Sequence, residues 1–152
     1  MDAVSYPDEK VSNFIIDKVV PLRIPFDAQP LSTDFRVLWT PTLVTLDLYG
    51  KEHYRTVGFL PPEELVPSLI LGMAKVDFAS RQFNDALINL NMLLAGYPAS
   101  GAAPEAVFLK GVCRYKSSKN AKCLKEAYEQ LASDYPASEW TKRATPYKAL
   151  GN

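Results

Sequence analysis

A four-residue phrase occurs twice in this chain. Tyr97-Pro98-Ala99-Ser100 returns as Tyr135-Pro136-Ala137-Ser138, 38 residues later. A period of that length commits a polypeptide to stacked units, each too small to bury its own apolar stripe. An amphipathic stretch with helical spacing lies ahead of each copy. Phe83, Ala86, Leu87, Leu90, Leu93 and Leu94 precede the first, and Leu124, Ala127, Tyr128 and Leu131 precede the second. Pro98, Pro104 and Pro136 punctuate the pattern. The spacing predicts helices over roughly 62–80, 83–96, 104–117, 121–134 and 138–149. Pro61-Pro62-Glu63-Glu64 opens the series, with prolines where no donor is needed and acids near the positive end of the helix dipole.

The first sixty residues have a different texture. Val11, Phe14, Ile15 and Val19 take helical spacing after Pro7, with Asp8 placed to cap. Val20-Pro-Leu-Arg-Ile-Pro-Phe-Asp27 alternates and reads as a strand, although Pro21 and Pro25 delete two donors and favour an edge. Pro30 to Val37 predicts a short helix with Leu31 and Phe35 on one face. Thr42–Leu48 and Glu52–Gly58, joined by Tyr49-Gly50-Lys51, predict a β-hairpin. The expected fold class is therefore α+β: a mixed unit with a hairpin over residues 1–60, then helical hairpin repeats over 61–150, with helix 62–80 shared.

Composition removes whole classes of function. With 152 residues, the chain has room for one domain or two small units. Apolar residues at 47% and charged residues at 22% exclude a disordered chain. Seventeen basic residues balance seventeen acidic ones, so neither nucleic acid nor an anionic membrane surface is expected as a partner. Pro67, Ser68 and Gly72 break the longest apolar run, so no membrane span is expected. Two cysteines make no disulfide scaffold, and the single His53 builds no His-rich metal site. No cofactor is expected. The start carries no basic, apolar or cleavable leader, which reads as cytoplasmic as written.

Two resemblances add to this reading. Ala74, Phe83, Ala86, Leu90, Leu93 and Pro98 fall at the small, aromatic and proline spacings of tetratricopeptide-type repeats, and the second half resembles that family. The second copy is poorer, with Ala121 and Leu124 where the first has Phe83 and Ala86. The Tyr-Pro-x-Ser ending and the longer period look like the variant common in bacterial envelope and scaffold proteins. The first half resembles the C-terminal part of a thioredoxin fold. Trp39-Thr40-Pro41-Thr42, the hairpin closing on Asp47-Leu-Tyr-Gly-Lys51, and Val57-Gly58-Phe59 carry that likeness over about residues 1–75.

The thioredoxin resemblance implies a cis-proline at Pro41 and a surface around it that holds an extended peptide. Trp39, Thr40, Pro41 and Thr42 are the candidate peptide-binding residues, with Trp39 either a contact aromatic or a packing residue on the sheet. The family's Cys-x-x-Cys and its strand align upstream of Met1, so no redox site is expected in these residues. Without that strand, three outcomes are open. The flanking strands close into a three-stranded sheet, another chain donates a strand, or the native product is longer. The last would imply a thiol–disulfide oxidoreductase or redox chaperone, with a periplasmic setting available to it. For the chain as written, direct closure or self-association through the open sheet is expected. Cys113 shares a helical face with Ala106 and Leu109, as a small core residue does. Cys113 and Cys123 read as structural or semi-exposed thiols, with a bridge between them or a reactive thiol as the alternatives, and His53 reads as a surface residue. Lys116 to Lys125 reads as a solvated helix face. The function expected is a redox-inactive protein- or peptide-interaction module.

Overall fold

The computed structural model describes residues 1–150. It is an α+β protein, mostly helical, with seven α-helices and one two-stranded antiparallel sheet among the described residues. The chain divides into two compact units, Met1–Val66 and Pro67–Asn152.

In the first unit, α1 spans Glu9–Lys18 and α2 spans Leu31–Asp34. Asp8 caps α1 as its position predicts: the carboxylate accepts from Lys10 N at 2.9 Å and Val11 N at 3.1 Å. Val11 is fully buried, and Ser5, also buried, donates from Oγ to Leu60 O at 2.5 Å. The hairpin consists of β1 (Thr42–Leu46) and β2 (Glu52–Val57), with Thr42 opposite Val57 and Val44 opposite Arg55. Asp47 shapes the turn, accepting through Oδ1 from Tyr49 N at 2.9 Å and Lys51 N at 3.0 Å. Gly50 takes φ +79, a conformation that favours glycine. The register shifts between Thr45 and Leu46, which leaves His53 as the extra residue of a bulge.

Two expectations fail here. Residues 20–26 form no strand, and the sheet does not close into three strands. The reason is pairing. A strand exists through its partner, and Pro21 and Pro25 leave this segment one usable edge, which no strand meets among the described residues. The segment runs exposed from Val20 to Asp27.

The second unit holds the greater part of α3 (Pro62–Ala79), then α4 (Phe83–Gly96), α5 (Ala103–Ser118), α6 (Lys122–Asp134) and α7 (Glu139–Ala144). The final predicted helix instead tightens into a 3₁₀ turn over Thr145–Ala149, because Pro146 lacks the N–H that would continue it. The 38-residue period is written into the backbone. Arg81 and Lys119, 38 apart, both take left-handed conformations, φ +62 and φ +59. Tyr97 (φ −138, ψ 50) and Tyr135 (φ −135, ψ 53) end α4 and α6 with nearly the same dihedrals. Ser100 N and Ser138 N donate to the Tyr97 and Tyr135 carbonyls at 3.1 and 3.0 Å, so the repeated phrase is a repeated turn.

Packing follows the helical pattern. Leu90 and Leu93 of α4, Val107 of α5 and Leu131 of α6 are essentially inaccessible, and each such burial stabilises by about 1.5–3 kcal/mol. Val107, Leu131 and Ala144 form a core cluster. Phe108 lies against it, with its ring centroid 5.1 Å from that of Trp140 and 5.7 Å from that of Tyr147. The Tyr135 hydroxyl donates to Pro98 O at 2.7 Å, joining the end of one hairpin to the end of the previous one. At Gly111 the helices α5 and α6 nearly touch. A Cβ there would lie 2.4 Å from Ala127 Cβ and 3.2 Å from Cys123 O.

Candidate functional site

The candidate site sits where the chain turns from α2 into β1. Phe35 ends α2, and Arg36 takes φ +47, so the chain reverses there. Arg55 of β2 holds this turn, donating through Nη2 to Phe35 O at 2.5 Å and through Nη1 to Arg36 O at 3.5 Å. Glu52 grips the same guanidinium at 2.7 and 2.6 Å. That bond holds the Glu52 carboxyl below its ordinary range and raises Arg55 above its own. Leu38 and Trp39 follow, 86% and 67% exposed. Thr42 Oγ1 donates to Trp39 O at 2.6 Å and pins the indole's backbone to the start of β1. The Thr40–Pro41 peptide bond is cis, as is Gln29–Pro30.

The structure thus brings Trp39, Thr40, Pro41 and Thr42 together in one pinned turn. Trp39 is not a packing residue on the sheet; its exposure leaves the ring in solvent. Val57, opposite Thr42, and Phe59 are also exposed, at 58% and 54%, so this end of the hairpin carries an apolar rim. The sequence pattern missed Glu52 and Arg55, because residues three apart on a regular strand lie on opposite faces, and the bulge at His53 that breaks this alternation is not visible in the spacing.

The edge of β1 is the chemically active feature. Gly58 N donates to Pro41 O at 2.8 Å. By the alternation of an antiparallel ladder, Leu43 and Thr45 then exchange bonds with Thr56 and Tyr54, while Thr42 and Val44 turn their N–H and C=O groups outward. No third strand meets them among the described residues. Such a row can accept an extended peptide by main-chain hydrogen bonds.

Other groups with reactive potential are occupied structurally. His53 is not at the surface as expected. Its side chain is 9% exposed, and Nε2 lies 2.8 Å from Asp47 Oδ2. That contact, with the backbone donors of the turn, holds the Asp47 carboxyl below its usual value. Cys113 and Cys123 are both buried free thiols on α5 and α6. Burial, then the nearby Asp77 charge, pushes the Cys113 thiol up to about 11. At neutral pH its thiolate fraction is on the order of one in ten thousand, too little for a nucleophile. A shallow hollow at the repeat turns is lined by Phe78, Phe83, Arg81, Lys116 and Lys119, so part of the lysine run borders an aromatic surface.

Among the described residues, no three His, Cys, Asp or Glu side chains gather to hold a metal ion, and no helix is long and apolar enough to cross a membrane. No family model matches the chain, and no curated protein matches it either.

Proposed function

We propose that this chain is a protein-interaction module that holds an extended peptide along the outer edge of β1, with Trp39 as the aromatic contact beside it. The observation that carries this is the unpartnered strand edge starting at Thr42, next to an indole that is two-thirds exposed. Main-chain bonds to Thr42 and Val44 supply affinity without sequence demands, and Trp39 selects apolar side chains. Arg55 acts as a positioning residue, since it fixes the turn that presents Trp39.

The fold we assign to this activity is a thioredoxin-like unit without its redox motif, followed by tetratricopeptide-like repeats. Two features support it. The helix, hairpin and following helix occur in thioredoxin-like order. The helical hairpins repeat their turn dihedrals every 38 residues. Thiol–disulfide exchange belongs to a polypeptide that brings its own Cys-x-x-Cys; the buried Cys113 does not serve that chemistry.

A peptide array followed by fluorescence anisotropy on the hits tests the reading. Apolar extended peptides should bind, Trp39→Ala should weaken them about tenfold or more, and N-methylating alternate peptide amides should abolish binding. Hits that tolerate both changes, or no hits at all, would refute it.

A further inference from the structure

Thirteen of the fifteen exposed large apolar residues lie in the first unit, although it is the smaller one. Four of them form a regular series: Val20 is 97% exposed, Leu22 79%, Ile24 36% and Phe26 55%. Alternate residues of an extended chain share a face and also share an edge for their N–H and C=O groups. In an extended conformation the even-numbered residues would therefore present one apolar face and one complete row of donors and acceptors. The odd-numbered edge holds Pro21 and Pro25, which have no N–H to give. Arg23 also lies on that edge, and it bonds to Asp2 at 2.8 Å, away from the apolar row. The segment forms no strand here, yet it offers one usable side for pairing, in a unit whose β1 also has one side that no strand meets among the described residues.

From these two unmatched rows we propose that residues 20–26 of one chain pair with the β1 edge of a second copy, reciprocally, to make a two-fold dimer. This rests on the β1 edge identified above and names a specific occupant for it. The surface suffices. Four side chains of roughly 100–200 Å² each, exposed to these extents, offer on the order of 400 Å². Two such segments seated on two matching edges cover about 1,500 Å² in all, the size of an ordinary stable interface. Zero net charge removes long-range repulsion between copies. The prolines also close the assembly, because each added strand ends the sheet on that side and gives a dimer rather than a fibre.

Sedimentation velocity on the 152-residue chain across a micromolar-to-millimolar series tests the proposal. The expected result is a shift from 16.9 kDa to twice that mass. Leu22→Pro removes a donor from the pairing edge and should weaken the dimer about tenfold or more, whereas Arg23→Pro, on the proline edge, should change it less than about twofold. Both sites are exposed and outside any helix or strand, so the circular dichroism spectrum should not change. Mixed isotope labelling should give cross-chain contacts between residues 22–24 and 42–46. A single monomeric species throughout, equal effects of the two prolines, or cross-chain contacts elsewhere would overturn the proposal. A monomer that still binds peptides in an N-methyl-sensitive way would overturn self-pairing alone. A Leu22→Pro monomer that binds no peptide would overturn the proposed function alone.

Discussion

Replacing Gly111 with Ala sets two calculable effects against each other. In an unconstrained helix interior the change stabilises by about 1 kcal/mol, because glycine loses more backbone freedom. Here the new methyl would lie 2.4 Å from Ala127 Cβ, where carbon atoms prefer about 3.5–4.0 Å. The carbonyl of Cys123, at 3.2 Å, blocks a sideways escape. Neither obstacle is the tip of a flexible side chain, so α5 and α6 must separate by about 1 Å. Overpacking of that kind costs about 1–3 kcal/mol, and the separation also loosens contacts around Val107 and Leu131. We expect a net destabilisation of up to about 2 kcal/mol, read as a lower urea midpoint by far-UV circular dichroism. Gly111→Ala combined with Ala127→Gly removes the collision. The double variant should therefore lose about 1–3 kcal/mol less than the sum of the two single losses, because only the collision is shared. If Gly111→Ala raises the midpoint, or if the two changes simply add, the close approach of α5 and α6 is wrong.

The Cys113 thiol, raised to about 11 by burial, favours the folded state while neutral. That stability is complete below the ordinary thiol range near 9 and should be lost as pH rises from there through about 11. Chemical denaturation across that interval checks it, with Cys113→Ala expected to flatten the slope. Native-state alkylation at neutral pH should leave Cys113 unmodified until the protein is unfolded. Asp47 behaves oppositely. Its lowered carboxyl stabilises the hairpin above the ordinary aspartate range and loses that effect as pH falls through the depressed value. The amide shifts of Tyr49 and Lys51, both donors to Asp47, should follow that transition, and Asp47→Ala should abolish it.

The repeat was legible because its cause is local. Alternating turns of Leu90, Leu93 and Leu131 need only helical spacing to be recognised, and Tyr-Pro-Ala-Ser turns carry their own stop signal. The Asp8 cap and the Asp47 hairpin turn were readable for the same reason, since each bonds within a few residues of itself. Residues 20–26 were misread because alternation records strand propensity and not the presence of a partner. Gly111 left a fainter signal, a glycine inside a helical pattern, whose meaning depended on what faced it.

Helix positions, the 38-residue period and the two textures of the chain were thus determined by the order of amino acids alone, because hydrogen bonds and apolar spacing within a few turns decide them. The outcome for Trp39, His53 and the β1 edge was decided only in three dimensions. The turn that precedes the exposed indole is bonded by Arg55, reaching back to the carbonyls of Phe35 and Arg36 about twenty residues away. His53 is withdrawn from solvent by a carboxylate across the turn, at a bulge that no spacing announces. An unpaired edge is a relation between strands, and a relation of that kind exists only once the chain has folded.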